Sequence, residues 1–180
     1  TVPANGSWNF KSIYDCNYFL ERVLPRYEKG EIDGSTVDIC QYIGEVLFLR
    51  AYEYFDLYQI YGDLPIVTTT LPDDETVLTE ASKRYPRNEV ARFILSDLDK
   101  ALELMPEQFE ARRTRINRDC VLLLKSRVAL YEATFLKYFK GTPFVPQGEG
   151  WPGAQKEYSS SYQYPLGGSD EEIDWFLDQA

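Results

Sequence analysis

The segment from residue 36 to residue 61 constrains the fold more than any other part of the chain. Ser35 or Thr36 before it and Gly62 after it are residue types that begin and end helices. A helix of this length spans about 39 Å at about 1.5 Å per residue. One apolar stripe consists of residues 39, 43, 46, 47, 54, 57, 58 and 61, and a second of residues 48, 52 and 55. Because this helix is apolar on nearly every side, it has to lie between other helices.

Three more segments have helical periodicity, at residues 8–24, 88–105 and 117–139. Ser7 and Asn117 are the predicted N-caps of the first and the last of them. In the last, residues 120, 123, 124, 127, 128, 131 and 135 form the predicted buried face, with Arg127 as its charge. These helices supply the neighbours that the central segment needs.

The intervening segments are predicted to be irregular. Residues 63–87 are rich in proline, with "PIVTTT" as a short extended piece, and residues 141–169 form a loop. Ser169 begins a further helix that runs to residue 180. Helix pairs 8–61 and 88–139, followed by this loop and helix, indicate an all-α, tetratricopeptide-like stack within a single helical domain, residues 1–180.

Composition excludes several classes of function. The chain has no histidine, so a Ser-His-Asp triad or a histidine zinc site cannot form within it. The net charge of −10 argues against nucleic acid, which is bound through clustered lysine and arginine. Cys16, Cys40 and Cys120 match no metal-ligand spacing, and their apolar surroundings predict buried free thiols. No cofactor or metal is expected.

Both ends of the sequence are expected to be internal to a longer protein. The chain lacks an initiator methionine, a signal peptide and a lipid-attachment cysteine near its start, and it stops within the first turns of a helix. Its longest apolar region, residues 46–55, contains Arg50 and Glu53 and is too short to cross a bilayer.

The stretch "LRAYEYFDLYQIYGDLPIV", residues 49–67, resembles the hallmark segment of the SusD/RagB family, the surface nutrient-binding lipoproteins of Bacteroidetes. Three more stretches resemble family helices in the same order: "YDCNYFLERV", "YPRNEVARFILSDLDKALELMP" and "LLLKSRVALYEATFLKY". The terminal "GSDEEIDWFLDQA" also fits. The resemblance implies that the chain is the N-terminal, tetratricopeptide-like portion of such a protein, without the lipobox and the C-terminal half.

The resemblance also implies a function. Family members bind a glycan or another nutrient polymer, without catalysis, at the outward-facing surface of the outer membrane. They deliver it to a SusC-like TonB-dependent transporter. The expected partners are therefore a polysaccharide or oligosaccharide and that transporter, and membrane contact is expected only through a lipid anchor absent from this chain.

The aromatic residues of the hallmark segment are predicted to be structural. Tyr54, Phe55, Tyr58 and Tyr61 recur at helical spacing, so most of their area should be buried, with hydroxyls reaching polar partners at the helix edges. After Gly62, Asp63 is expected to bond the turn backbone.

Aromatic residues in loops are better candidates for glycan contact, because no helical core explains them. The candidates are Trp8, Trp151, Tyr158, Tyr162 and Tyr164. The alternative is that each packs beneath its own loop. The family's ligand residues form no fixed motif, so none is carried over by position.

The sequence is also compatible with two other functions. Acidic pairs at residues 73–74, 97 and 99, and 171–172 could form a glycosidase site, but solvated charge explains them better, and no enzyme activity is expected. A helical-repeat module that binds proteins and has no ligand site of its own stays open as the alternative.

Overall fold

The central helix of the computed structural model has the predicted bounds. α2 covers Thr36–Tyr61; the Ser35 side chain accepts a hydrogen bond from the Asp38 N–H, and Gly62 ends the helix at a φ of 67°. The structure describes residues 9–107 and 114–180. Its other α-helices there are α1 Lys11–Glu28, α3 Glu75–Ala81, α4 Arg87–Leu104, α5 Arg118–Phe139 and α6 Ser169–Asp178, and a 3-10 helix covers Pro152–Gln155 within the predicted loop. The described residues contain no β-strand, so the all-α prediction is confirmed.

The helices pack in the order α1, α2, α4, α5, α6, with α2 also touching α5. Tyr54, Phe55 and Tyr58 are 0%, 3% and 1% exposed in the core of this stack. The Tyr54 hydroxyl donates to the Val67 carbonyl at 3.1 Å and accepts from the Val67 N–H at 2.7 Å. Tyr58 also bonds Glu132, so the prediction of buried rings with hydroxyls at polar partners is confirmed for Tyr54 and Tyr58, whereas Tyr61 is half-buried.

The first helix differs from its prediction at both ends. α1 begins at Lys11, whose N–H donates to Asn9 Oδ1 at 2.9 Å, while the predicted cap Ser7 lies outside the described residues. α1 continues through Pro25 to Glu28 rather than ending before it. A proline inside a helix costs about 3 kcal/mol. Packing of Leu24 and Tyr27 against the core offsets that cost.

The prediction that residues 63–87 contain no helix is wrong. α3 forms there, and Asp74 caps it by accepting from the Val77 N–H at 2.9 Å. None of its residues is buried, so a local cap and first-turn Glu75 define it without a core face. Leu64 and Tyr85 pair as an isolated antiparallel bridge that closes the segment.

The predicted buried face of α5 is partly wrong. Leu123 is 72% exposed, and Cys120 and Arg127 are exposed as well. The buried side chains are Val121, Leu124, Val128, Ala129, Glu132, Ala133 and Leu136. Apolar residues stand on several sides of this helix, so periodicity does not fix its rotation.

The thiols also differ from one another. Cys16 is buried, Cys40 is half-buried with its thiol 3.1 Å from the Tyr27 hydroxyl, and Cys120 is exposed. The prediction that all three are buried is wrong for Cys120, which follows from the rotation of α5.

Three ion pairs join different helices of the stack, and two of them are buried on both sides. Arg50 of α2 donates to both Asp97 oxygens of α4 at 2.7 and 2.8 Å and to Asn17 of α1 at 2.8 Å. Such pairs lock the packing because removing one partner leaves a charge without a counter-charge in the interior. Arg87 of α4 pairs with Glu132 of α5, and the Tyr58 hydroxyl bonds both side chains. Arg92 of α4 pairs with Glu172 of α6, which also accepts a hydrogen bond from Asn88.

No helix in the described parts of the chain has the length and apolarity needed to cross a membrane.

Candidate ligand-binding cleft

A cleft of about 590 Å³ opens where α2 ends. It lies between the turn at residues 59–63, the segment at residues 82–87, Phe135 of α5, and the loop at residues 143–159. Its walls therefore come from the helical stack on one side and from a single loop on the other.

Asp63 connects the two walls. Its Oδ1 accepts from the Arg87 backbone N–H at 2.9 Å, and its Oδ2 accepts from the Trp151 indole Nε1 at 2.9 Å. Burial raises the pKa of the Asp63 carboxyl above its usual value, while these hydrogen bonds and the charges of Arg87 and Arg84 act in the opposite direction. The sequence predicted that Asp63 would bond the backbone of the turn after Gly62. Asp63 does bond a backbone N–H, but this group belongs to Arg87, the first residue of α4, and not to the turn.

Four of the five predicted contact residues lie in the described part of the chain, and they differ in exposure. Trp151 and Tyr164 are each 4% exposed, Tyr162 is half-buried, and Tyr158 is 45% exposed. Trp8 lies outside the described residues. The ring centroids of Trp151 and Tyr162 are 6.1 Å apart, and those of Tyr162 and Tyr164 are 5.8 Å apart.

The hydroxyls of the inner two tyrosines are occupied by protein partners. Tyr162 donates to Glu89 Oε1 at 2.8 Å and accepts from Asn88 Nδ2 at 2.7 Å, and Tyr164 donates to the Pro146 carbonyl at 2.9 Å. Burial raises the pKa of both tyrosines. These two residues and Trp151 thus form the packed interior of the loop, and the faces of Trp151 and Tyr164 are not presented to solvent.

Tyr158 stands at the mouth of the cleft. The Lys83 ammonium lies 5.8 Å from its ring centroid, and its hydroxyl is 3.4 Å from the Arg84 N–H. Tyr158 also lines an adjoining pocket of about 340 Å³ with Lys83, Arg84 and Glu89. An exposed ring beside hydrogen-bonding side chains is suited to a ligand that has both an apolar face and hydroxyl groups.

Two residues that line the cleft were not among the contact residues predicted from the sequence. Phe144 is 61% exposed and lies in the same loop, so the criterion that selected Trp151 also applied to it. Arg84 lines both pockets but sits in a segment that carried no signal apart from its charge.

A second groove, of about 320 Å³, lies between α1 and α3. Phe10, Tyr14, Leu71 and Leu78 contribute to its mainly apolar lining. None of the four predicted contact residues within the described ranges reaches it.

Comparison with known proteins relates this chain to one protein family. The chain matches, over residues 3–130, the family model described as SusD-like, starch-binding and associating with the outer membrane. It is 30% identical over 95 residues to SusD-like protein P38 of Formosa agariphila, a match that covers 51% of this chain and 16% of that protein.

Solved structures give the same relationship. A SusD-like protein from Bacteroides fragilis superposes with a TM-score of 0.56 at 25% identity, over 87% of this chain and 33% of that one. A SusD-like carbohydrate binding protein from Bacteroides vulgatus superposes with a TM-score of 0.50 at 26% identity, over 69% of this chain and 28% of that one. The chain thus spans about a third or less of the length of these relatives.

Proposed function

The chain belongs to the SusD-like family, and we propose that it contributes to non-catalytic binding of a glycan or another nutrient polymer. The family model describes starch binding, and the Bacteroides vulgatus relative is named as carbohydrate binding. The observation that carries the proposal for this chain is the exposed Tyr158 ring at the mouth of a cleft with hydrogen-bonding walls.

Within this proposal the predicted aromatic residues take different roles. Tyr158 provides the face on which a sugar ring stacks. Trp151, Tyr162 and Tyr164 hold the loop that carries it, since their polar atoms already bond the protein. Trp8 stays a candidate contact.

The acidic pairs support a non-catalytic role because a member of each has a structural task. Asp74 caps α3, Asp97 pairs with Arg50, and Glu172 pairs with Arg92. A glycosidase needs two carboxyl groups that face one substrate, about 5 to 9.5 Å apart. Carboxylates that are bound to protein partners in this way do not supply such a pair.

We propose that the complete protein extends beyond residues 1–180, of which these residues form a single helical domain. In this proposal it is lipid-anchored on the outward-facing surface of the outer membrane. It would deliver its ligand to a SusC-like TonB-dependent transporter. The support is family membership and the family's association with the outer membrane.

Affinity electrophoresis in gels containing different polysaccharides tests glycan binding. We expect at least one polysaccharide to retard the chain, and Tyr158→Ala to weaken that retardation about fivefold, as expected for loss of about 1 kcal/mol of stacking. Tyr52→Ala is the matched control, because Tyr52 is 44% exposed on α2 and lines none of the described clefts. Equal retardation of both variants would remove Tyr158 from the site, and no retardation by any polysaccharide would refute the proposal.

A second candidate function rests on the outer face of α5. Leu122, Leu123 and Leu130 are 50%, 72% and 49% exposed there, which suits protein contact. Co-elution with a purified SusC-like transporter in the absence of glycan, lost on Leu123→Lys and kept in Tyr158→Ala, would support this function. Co-elution that Leu123→Lys leaves intact would exclude the α5 face.

A further inference from the structure

The candidate cleft and the adjoining pocket share a wall. The cleft, of about 590 Å³, and the pocket, of about 340 Å³, are both lined by Arg84, Tyr158 and Ser159. Because the Tyr158 ring lines both spaces, it stands at the boundary between them. Each volume lies in the range of about 300 to 1,000 Å³ that is usual for ligand sites, so each space has room for part of one ligand.

Each space also has an exposed ring of its own. Phe144 lines the cleft and is 61% exposed, and Tyr85 lines the adjoining pocket and is 49% exposed. Tyr158 adds the exposed ring at the boundary. A ligand that lies across both spaces would therefore meet three aromatic rings in succession.

Contacts within the protein hold the two outer rings in place. Tyr85 exchanges two backbone hydrogen bonds with Leu64, at 2.8 and 3.2 Å, and these fix the backbone that carries its ring. The Phe144 ring packs edge-to-face against Phe139, with the ring centroids 5.6 Å apart. A side chain that is already held in this way loses less conformational entropy when a ligand stacks on it.

Hydrogen-bonding side chains accompany the rings in both spaces. Gln59 is exposed in the wall of the cleft, and Ser161 is exposed in the wall of the adjoining pocket. Amide and hydroxyl groups can both donate and accept hydrogen bonds, as the hydroxyl groups of a sugar do. The lining of each space therefore suits a sugar unit, which has an apolar ring face and hydroxyl groups at its edge.

We propose that the cleft and the adjoining pocket together bind one glycan chain through at least two neighbouring sugar units. One unit stacks on Phe144 in the cleft, another stacks on Tyr85 in the adjoining pocket, and Tyr158 supplies its ring at the boundary. This inference rests on the proposed glycan-binding function and narrows its ligand class to an oligosaccharide or a stretch of polysaccharide, as opposed to a single sugar.

Competition by sugars of different length tests the inference. The 180-residue chain is run in native gels that contain starch, laminarin, xylan or polygalacturonate, with the matching monosaccharide, disaccharide or hexasaccharide as competitor. We expect at least one polymer to retard the chain. The matching hexasaccharide should relieve that retardation at a concentration of sugar units at least about fivefold lower than the monosaccharide needs, because each further stacked ring strengthens binding about fivefold.

Ring variants test the two ends of the site separately. Tyr85→Ala and Phe144→Ala should each weaken retardation by the polymer about fivefold. Tyr85→Phe and Phe144→Tyr keep an aromatic ring and should leave the retardation unchanged. Tyr138→Ala is the matched control, because Tyr138 is exposed on α5 and lines neither space. The circular dichroism spectrum of each variant shows whether the helices persist, and the competition by hexasaccharide tests the inference without any substitution.

The outcomes distinguish this inference from the function beneath it. If the hexasaccharide and the monosaccharide compete equally per sugar unit, the site takes a single sugar, and the inference is overturned while glycan binding stands. If Tyr85→Ala or Phe144→Ala folds and behaves like Tyr138→Ala, the glycan does not extend across both spaces. Absence of retardation by every polymer would overturn both the inference and the proposed function.

Discussion

Replacing Asp97 with asparagine would leave the Arg50 guanidinium without a counter-charge in the protein core. Asp97 is fully buried on α4 and receives two hydrogen bonds from Arg50, at 2.7 and 2.8 Å. The third Arg50 bond goes to Asn17 at 2.8 Å, so this substitution affects the junction of α1, α2 and α4. Asparagine keeps the shape of the side chain and one oxygen acceptor, so the main loss is the charge.

The expected magnitude follows from the burial. Removing one partner of a buried pair costs about 3 to 5 kcal/mol, and the retained acceptor places Asp97→Asn near the lower end. For a chain of this size, 1 kcal/mol shifts the melting temperature by about 2 to 4 °C. Asp97→Asn should therefore lower the melting temperature by about 6 to 12 °C.

Asp99 provides a matched control two residues away on the same helix. It pairs with Lys125 at 2.6 Å, and its side chain is 45% exposed. An exposed pair contributes about 0.2 to 1 kcal/mol, so Asp99→Asn should lower the melting temperature by less than about 4 °C. Urea and thermal unfolding followed by circular dichroism would measure both variants.

A double variant separates charge from packing. Arg50→Met with Asp97→Leu removes both charges and fills the space with apolar atoms, so it should be more stable than Asp97→Asn. If Asp97→Asn and Asp99→Asn cost the same stability, or if the double variant is the least stable, the buried pair does not lock the three helices.

Three further predictions concern the cleft and the buried polar groups. Asp63→Ala should cost about 1 to 3 kcal/mol of stability and shift the fluorescence of Trp151 to longer wavelength, because its indole N–H loses its acceptor; unchanged emission would contradict the Asp63 link. Cys120 should react with a thiol reagent in the folded chain, whereas Cys16 should react only after unfolding, because burial raises the pKa of its thiol to about 11; rapid labelling of Cys16 would contradict its burial. Burial raises the pKa of Tyr54 to about 12. The stability that its neutral form provides is therefore complete below about pH 10 and is lost as pH rises through about 12. Tyrosinate absorbance should show a step at a higher pH than the step of the exposed tyrosines, and Tyr54→Phe should reduce it.

Local signals in the sequence predicted some helices well and others poorly. The bounds of α2 were predicted because Ser35 and Gly62 act through their own backbone neighbourhood. The end of α1 was not, because the local stop at Pro25 is overridden by packing of Leu24 and Tyr27 that the sequence does not reveal. α3 was missed for the opposite reason, since it has a cap at Asp74 but no buried face to give it a period.

The candidate cleft could be predicted only in outline. The concentration of aromatic residues after residue 150 identified the loop, but it did not distinguish Tyr158 from Trp151. That distinction depends on Asp63, which lies 88 positions from Trp151 in the sequence and brings its indole into the protein. Likewise, Asp97 could not be matched with Arg50 from spacing, because the two are 47 positions apart on different helices.

These long-range partners explain why the hallmark segment identifies the family without identifying the ligand. Arg50 and Tyr54 hold helices together, and Asp63 fixes the loop through Trp151, so a change at any of them would disturb the stack or the cleft as a whole. Tyr158, by contrast, is 45% exposed, and its hydroxyl accepts one long hydrogen bond, from the Arg84 N–H at 3.4 Å. Under the proposed function, selectivity for one glycan over another can therefore change at Tyr158 with a smaller cost in folding than at the residues of the hallmark segment.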